Sequence, residues 1–552
     1  MCGIWSFLSK HNLTSNNKQL LQLFNSISNR GPESHNLEKI NNNLWIGFHR
    51  LRINDISDLA NQPFHIISDD TTRHCYLICN GEIYNHEKLS SKYNIITKSK
   101  SDCEVIIHLY KKIGIEKTIN QLDGVFAGII IDIEDDKTKI YAFRDPIGVR
   151  PLFIGYTDNT TIGFCSEIKG LVNAVDQIEP ILPGTCTEIS FDQSYNFRWS
   201  QFRYYYYDYP KININDENII HSLIRKKLIQ SVEKRMMADR PICCLLSGGL
   251  DSSLVASILA KSSKEKIHTF CCGMQGGTDF KWAKKVAEHI GSIHHEVYFK
   301  PEEGIQAINE VINATETFDI TTIRASVGQY LVSKYVSENT DFKVVYIGDG
   351  SDELVGGYKY FCNAPTPLAF HKECVRLMRE LYLFDVLRAD RAVSCHGLET
   401  RVPFLDKDFI QFYLSIDPKL RIPKNGIEKY LLRKAFDCDE FYLPNCVLWR
   451  EKEAFSDGVS SKTNSWFEII QNFINSKLTD NEFKEIRNKY KHCIPHTKEA
   501  LYFRIIFDKL FDDKYCNIIP KFWLPKWCGN ILEPSARVLS TYGRDDTKQL
   551  NI

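Results

Sequence analysis

The sequence predicts two domains of different class: an α+β layered domain, then an α/β domain with a parallel sheet. Three observations carry this. Up to about residue 195, short runs of β-branched and aromatic residues are separated by turn chemistry. From about residue 215, apolar strands alternate with helical patterns. And 552 residues exceed what a single core ordinarily holds.

In the first part, LWIGFHRL, HCYLICNGEIY, VFAGIIIDI, KIYAFRDP and PLFIGY read as strands. Helices near Lys18–Asn29 and Asp102–Ile113 interrupt them. FRYYYYDYPKININDEN reads as a linker or sheet edge. The rhythm then becomes PICCLL, SSLVASILAK, IHTFCC, DFKWAKKVAEHIG, HHEVYF and, later, FKVVYIG. From about Pro520 the chain reads as irregular, ending in GRDDTKQLNI, a mobile tail. The expected segments are 1–195, 215–520 and 521–552.

Charge narrows the function. Lys+Arg and Asp+Glu are both 69, so the net charge of zero argues against nucleic acid or an anionic membrane as partner. IRKKLIQSVEKRM is basic on one face and reads as a solvated helix. No apolar run approaches membrane-spanning length, and no charged-then-apolar leader opens the chain. The 18 cysteines therefore read as reduced thiols in a cytoplasmic protein. None are spaced Cys-x-x-Cys, which weakens structural zinc, and proline spoils ligand spacing in His492–His496, read as a loop.

The strongest signal is LLSGGLDSS, residues 245–253. An apolar strand runs into Ser247-Gly248-Gly249, and a helix begins near Ser252. Paired glycines let backbone approach a ligand, and a helix start offers free N–H groups and a positive dipole end. That makes an anion cradle at a strand's carboxyl end. It lacks the Gly-Lys-[Ser/Thr] ending of a Walker loop. With GDGSDELVGGY (348–358), it resembles the pyrophosphatase loop of ligases that cleave ATP to AMP and pyrophosphate. Asp251 and Asp352 are the carboxylates expected on Mg²⁺, a hard cation that takes oxygen ligands. For Asp352 the plainer alternative is a helix cap.

The chain begins Met-Cys-Gly-Ile. With Met1 removed, Cys2 carries a thiol and a free α-amine, a nucleophile with its own base. Arg30-Gly31-Pro32, Phe48-His49-Arg50-Leu51, Asn80-Gly81-Glu82-Ile83-Tyr84-Asn85 and Ser101-Asp102-Cys103-Glu104 follow in order. Together they resemble the glutaminase domain of class II amidotransferases, which are N-terminal-nucleophile hydrolases with a layered α/β/β/α sandwich. The resemblance implies that the Cys2 thiolate attacks the glutamine amide while Asn80 and the Gly81 N–H hold the oxyanion. It places Arg50 on the α-carboxylate, Glu82 and Asp102 on the α-ammonium, and Leu51, Arg52, Ile53 and Asn54 along the substrate. Singly, Arg50 could be a surface ion pair and Asp102 a helix cap.

The combination resembles the glutamine-hydrolysing asparagine synthetases over nearly the whole chain. Thr321-Thr322-Ile323-Arg324-Ala325-Ser326 matches a segment that contacts aspartate, so Thr321, Thr322 and Arg324 are expected there. His396–Asp406 matches a structural stretch, and Trp449–Glu453 the lysine loop, in which Lys452 neutralises departing pyrophosphate. The nucleotide is expected on Leu246, Ser247, Gly248, Gly249, Asp251, Ser252, Ser253, Cys272, Ile347 and Gly348. Glu533-Pro534-Ser535-Ala536-Arg537 resembles the C-terminus of eukaryotic-type members. The implied reaction makes asparagine from aspartate, ATP and glutamine through β-aspartyl-AMP, with ammonia carried internally; a homodimer through the first domain is also implied.

Four positions depart from the family. Asp349 stands for a catalytic Glu, Ile347 for Ser, Glu33 for Asp and Phe48 for His. Asp349 keeps its charge one methylene shorter, and small displacements of a catalytic group are costly. The departures bear on rate and nucleotide affinity rather than on reaction type. The competing readings are a related ligase activating another carboxylate, a tRNA-modifying enzyme, and a non-catalytic amino-acid or nucleotide sensor. An intact Cys2, Arg50 and Asp102 weigh against the first, and zero net charge against the second.

Overall fold

A computed structural model describes the chain except residues 14–16, 69–71, 159, 193–196, 215, 462, 534 and 536–552. Pro534, Ala536, Arg537 and the final GRDDTKQLNI therefore lie outside the described residues.

The strand-rich part forms two six-stranded antiparallel sheets. Gly3–Ser9 is central in the first, paired with Leu44–Arg50 on one side and Thr161–Cys165 on the other. Arg73–Ile83 and Gly124–Glu134 pair in the second, with Asn80 opposite Ala127. Alternation of side chains sets the layers. Ile4 and Leu8 point between the sheets, packing with Ile46, Ile78 and Ile129. Trp5 and Phe7 point out, onto the helix Asn17–Asn25 through Leu20 and Phe24. The second sheet's outer face packs on the helix Val105–Ile113. The result is the expected helix–sheet–sheet–helix sandwich.

Local differences are small and have reasons. The helix expected over Asp102–Ile113 starts at Val105, because Asp102–Glu104 makes a 3₁₀ turn. The helix expected near Lys18–Asn29 ends at Asn25, and Ser28–Arg30 forms a separate 3₁₀ turn. Of the tyrosine-rich segment, Phe202 and Arg203 end the edge strand Arg198–Arg203, Glu217 and Asn218 open the helix Glu217–Lys234, and the described residues between them have no helix or strand.

The later part is a five-stranded parallel sheet with Ile242–Leu245 at its centre, His268–Gly273 and Ile293–Tyr298 on one side, and Val344–Tyr346 then Glu399–Arg401 on the other. The order reverses at Ile242–Leu245, so the strand ends there open a crevice. Residues 521–533 have no helix or strand, yet they dock: the Trp523 N–H donates to Asp319 at 2.8 Å, and Glu533 pairs with Arg324. All 18 cysteines are free thiols. No helix among the described residues is long and apolar enough to cross a membrane.

The two parts share a buried, charged contact. Arg30 pairs with Glu167 and with Asp390, each at 2.7 Å, and Arg391 pairs with Glu316 at 2.5 Å. The Met1 α-amine donates to the Leu398 carbonyl at 2.9 Å.

Candidate active sites

Cys2 immediately precedes the strand Gly3–Ser9 of the first sheet. Its thiol donates to the Leu51 carbonyl at 3.6 Å, and its own carbonyl accepts from Arg30 Nε at 2.9 Å. With Met1 in place, burial pushes the thiol up to about 11 and the Met1 amine down to about 5. Both are then neutral near pH 7. Asn80 is fully buried, and neither its amide nitrogen nor its amide oxygen has a hydrogen-bond partner. A buried amide left open on both sides costs free energy unless a ligand completes it. Gly81 beside it admits no side chain, since a Cβ would meet the Val125 oxygen at 2.2 Å.

Glu82 and Asp102 come together through Asn54, whose amide donates to both, at 3.3 Å to Asp102. The Ile83 N–H donates to Asp102 at 2.6 Å. Burial raises both carboxyls, opposed at Glu82 chiefly by Arg401 and at Asp102 chiefly by the Ile83 N–H. Arg50 gives three of its hydrogens to Ser57 O, Asn61 Oδ1 and Asp55 O. A guanidinium has five, so two remain for a carboxylate. Leu51 and Ile53 are core residues, and Arg52 points outward to pair with Asp58 at 2.6 Å.

The second site is the crevice of the parallel sheet. Leu246, Ser247, Gly249, Asp251, Ser252, Cys272, Ile347, Gly348, Asp349, Asp352, Thr321 and Lys452 line it. Gly248 does not; its φ of +71° and a Cβ contact of 2.4 Å to the Ala283 nitrogen explain the glycine, and its carbonyl accepts from Arg450 at 3.0 Å. Ser253 is buried behind the loop. The helix begins at Leu250, two residues before the expected Ser252, and Ser247 and Ser252 hydroxyls meet at 3.0 Å.

Asp251 and Asp352 converge on one ammonium. Lys429 Nζ lies 2.5 Å from Asp251 Oδ2 and 2.6 Å from Asp352 Oδ1, and Lys452 Nζ lies 2.6 Å from Asp352 Oδ2. Burial opposes ionisation of Asp352, but the two lysines overcome it and hold the carboxyl well below the usual range. Asp352 Oδ1, though close to Lys429, has no partner in hydrogen-bond geometry. Two carboxylates converging on one cation, with one oxygen left open, offer the oxygen ligands that a hard divalent ion takes. Asp349 accepts from Arg388, which also donates to Gln329 at 2.7 Å; burial raises Asp349 and Arg388 opposes it.

Two expected aspartate ligands sit elsewhere. Arg324 is taken by Glu499 and Glu533, both at 2.5 Å, and does not line the crevice. Asp319 caps the helix that carries Arg324, its carboxylate accepting from the Thr322 N–H at 2.9 Å and from the Thr322 hydroxyl at 2.8 Å. Only Thr321 of the three faces the cleft, where its hydroxyl is buried without a partner. Sequence reading missed Lys429, Arg450 and Arg388. Arg450 stands within Trp449–Glu453 but carries no role there by pattern, whereas Lys429 and Arg388 stand in no motif; Lys429 reaches the loop from a turn 178 residues later. Asp279 was missed too: burial raises it to about 6, opposed by Arg450.

The fold and its two sites define a class, an amidotransferase joined to a nucleotide-dependent synthase. Residues 1–189 match the model of the glutamine amidotransferase domain, and residues 223–368 and 362–525 match that of asparagine synthase. Glutamine-hydrolysing asparagine synthetases of Bos taurus and Gallus gallus are each 44% identical, and that of Homo sapiens 43%, over 98% of this chain and 99% of theirs. The chain belongs to the family of glutamine-hydrolysing asparagine synthetases.

Proposed function

We propose that this protein makes asparagine from aspartate, ATP and glutamine, with 1–195 as glutaminase and 215–520 as synthetase. The observation that carries it is the coexistence of both sites, each with its charged groups in place, on a chain aligned with its relatives from end to end.

In the first site, excision of Met1 moves the free amine onto Cys2. That amine, with a reference pKa of about 7.7–8.0, takes the thiol proton as sulfur attacks the glutamine amide. Asn80 Nδ2 and the Gly81 N–H receive the oxyanion, Arg50 the α-carboxylate, and Glu82 with Asp102 the α-ammonium. Ammonia leaves and water frees glutamate. In the second site, the Ser247–Ser253 loop cradles the phosphates. The aspartate β-carboxylate attacks the α-phosphorus, and pyrophosphate departs against Lys452, Lys429 and Arg450. Ammonia then attacks the acyl carbon, and AMP leaves. Internal passage keeps ammonia unprotonated, which water at neutral pH would not. Asp251 and Asp352 are the residues that hold Mg²⁺, which supplies charge neutralisation on the departing phosphates. Aspartate is held near Thr321, with Arg324 a support through Glu499. Asp349, clamped by Arg388, acts beside the acyl-adenylate. The free thiols support a cytoplasmic setting, and a homodimer through the glutaminase half is part of the reading.

The test supplies aspartate, ATP, Mg²⁺ and ammonium and follows the nucleotide products. AMP and pyrophosphate matching asparagine one to one support the reading. ADP with phosphate, or AMP that forms equally well with another acidic amino acid, would overturn it.

A further inference from the structure

The glutamine site is completed from outside its own sheets. Glu82 is 3% exposed. Asn54 meets one of its oxygens; the other faces Arg401, whose Nη2 lies 3.4 Å from Glu82 Oε1 and 2.8 Å from Glu399 Oε1. Arg401 belongs to the outermost strand of the parallel sheet and is fully buried. Nε and Nη2 of its guanidinium make no directional hydrogen bond. Toward Glu82 it therefore acts as a fixed charge rather than a donor.

Its place is rigidly set. Arg401 lies opposite Tyr346 on the neighbouring strand, its carbonyl accepts from the Ile347 N–H at 3.1 Å, and its Nη1 donates to the Arg235 carbonyl at 3.2 Å. The charged groups acting on Glu82 are Arg401 and Arg150 against Glu399 and Asp102, with Tyr84 and Cys103 close by. Three carboxyls thus meet two guanidiniums, with Arg150 shared with Asp390 at 3.6 Å, the chain's α-amine acting on Glu399 and His86 on Asp102. Guanidiniums alone leave one carboxyl without a matching charge, a charge that an α-ammonium brings. Burial outweighs Arg401 at Glu82, whose pKa stays well above the usual carboxylate range, so its ionisation is completed only when a further positive charge arrives. An uncharged Glu82 could accept a hydrogen bond but could not neutralise an ammonium.

We propose that Arg401 is a positioning residue for glutamine: a side chain of the synthetase sheet that faces the buried Glu82 carboxyl and favours its charged form, the form that partners the substrate α-ammonium. The proposal rests on the reading of Glu82 as an ammonium ligand.

The test uses the full-length, Met1-processed enzyme with Arg401→Met, Arg401→Lys and Glu82→Gln. Glutamine-dependent and ammonia-dependent synthesis are measured side by side across pH. For Arg401→Met the KM for glutamine rises by about 10- to 100-fold, kcat changes far less, and ammonia-dependent synthesis stays within roughly threefold. The acid limb of its kcat/KM for glutamine also moves to higher pH as Glu82 must ionise unaided, an effect that a purely structural arginine would not produce. Arg401→Lys recovers part of both. An unchanged KM and pH profile in Arg401→Met overturns the proposal. If that variant does not fold, Arg401→Lys decides on the same readouts, a raised KM supporting and an unchanged KM overturning. Should Glu82→Gln leave KM unchanged, the ammonium reading itself fails; should it raise KM while Arg401 variants do not, only the positioning role fails.

Discussion

Single residues divide into those that hold the fold and those held by it. Asn80 is the clearest of the second kind, a buried amide with both ends open. We expect Asn80→Ala to lower glutaminase kcat by about 10²–10³ while the melting temperature stays level or rises, because no bond is lost in the free enzyme. Steady-state kinetics and calorimetry on one preparation check this. Lys429 is of the first kind. Lys429→Met leaves Asp251 and Asp352 facing each other, a loss on the order of 3–5 kcal/mol for an uncompensated buried charge. Added Mg²⁺ should raise the melting temperature of this variant more than that of the parent; no difference would mean that the two carboxylates do not hold the ion. His49 carries a pH signature. Its ring stacks on Phe24 at 3.9 Å and Nε2 meets the Phe24 carbonyl at 3.0 Å, while burial lowers its pKa to about 4. Because that lies below the unfolded value, the stabilisation is complete above about 6.5 and is lost as pH falls toward 4. The slope is up to about 1.4 kcal/mol per pH unit, and denaturation of His49→Gln across that range should lack it.

At the scale of elements, strand ends and turns place the chemistry. Gly248 shows how tightly the phosphate loop is drawn against the helix Thr278–Ile290. Gly248→Ala forces a Cβ into the Ala283 backbone at a positive φ, so AMP formation should fall by at least about 10²-fold while glutaminase turnover persists. Equal loss of both activities would instead mean global unfolding. This is also where sequence reading succeeds and stops. SGGLDSS and Asn80-Gly81-Glu82 are legible because strand, turn and ligand chemistry are contiguous. Arg324 misled because its partners, Glu499 and Glu533, lie 175 and 209 residues away. Lys429 was silent for the same reason: a lysine in a turn has no local pattern, and its role comes from tertiary contact alone.

At the scale of the molecule, the buried contact between the two parts matters most. Asp390 compensates Arg30, which in turn holds the Cys2 carbonyl. Asp390→Asn should lower the melting temperature and loosen the coupling, seen as more than one glutamate formed per asparagine. Nothing in the composition announces this contact, since its charges are drawn from positions 30, 167, 316, 390 and 391. The central claim is that one chain carries nitrogen from glutamine to aspartate. Amide-¹⁵N glutamine supplied with excess unlabelled ammonium, aspartate, ATP and Mg²⁺ tests it most directly, by mass spectrometry of asparagine. The account predicts asparagine enriched in ¹⁵N far above the bulk ammonium pool, with AMP in equal amount. Label diluted to the bulk value, or ¹⁵N-ammonium released while asparagine stays unlabelled, would contradict it.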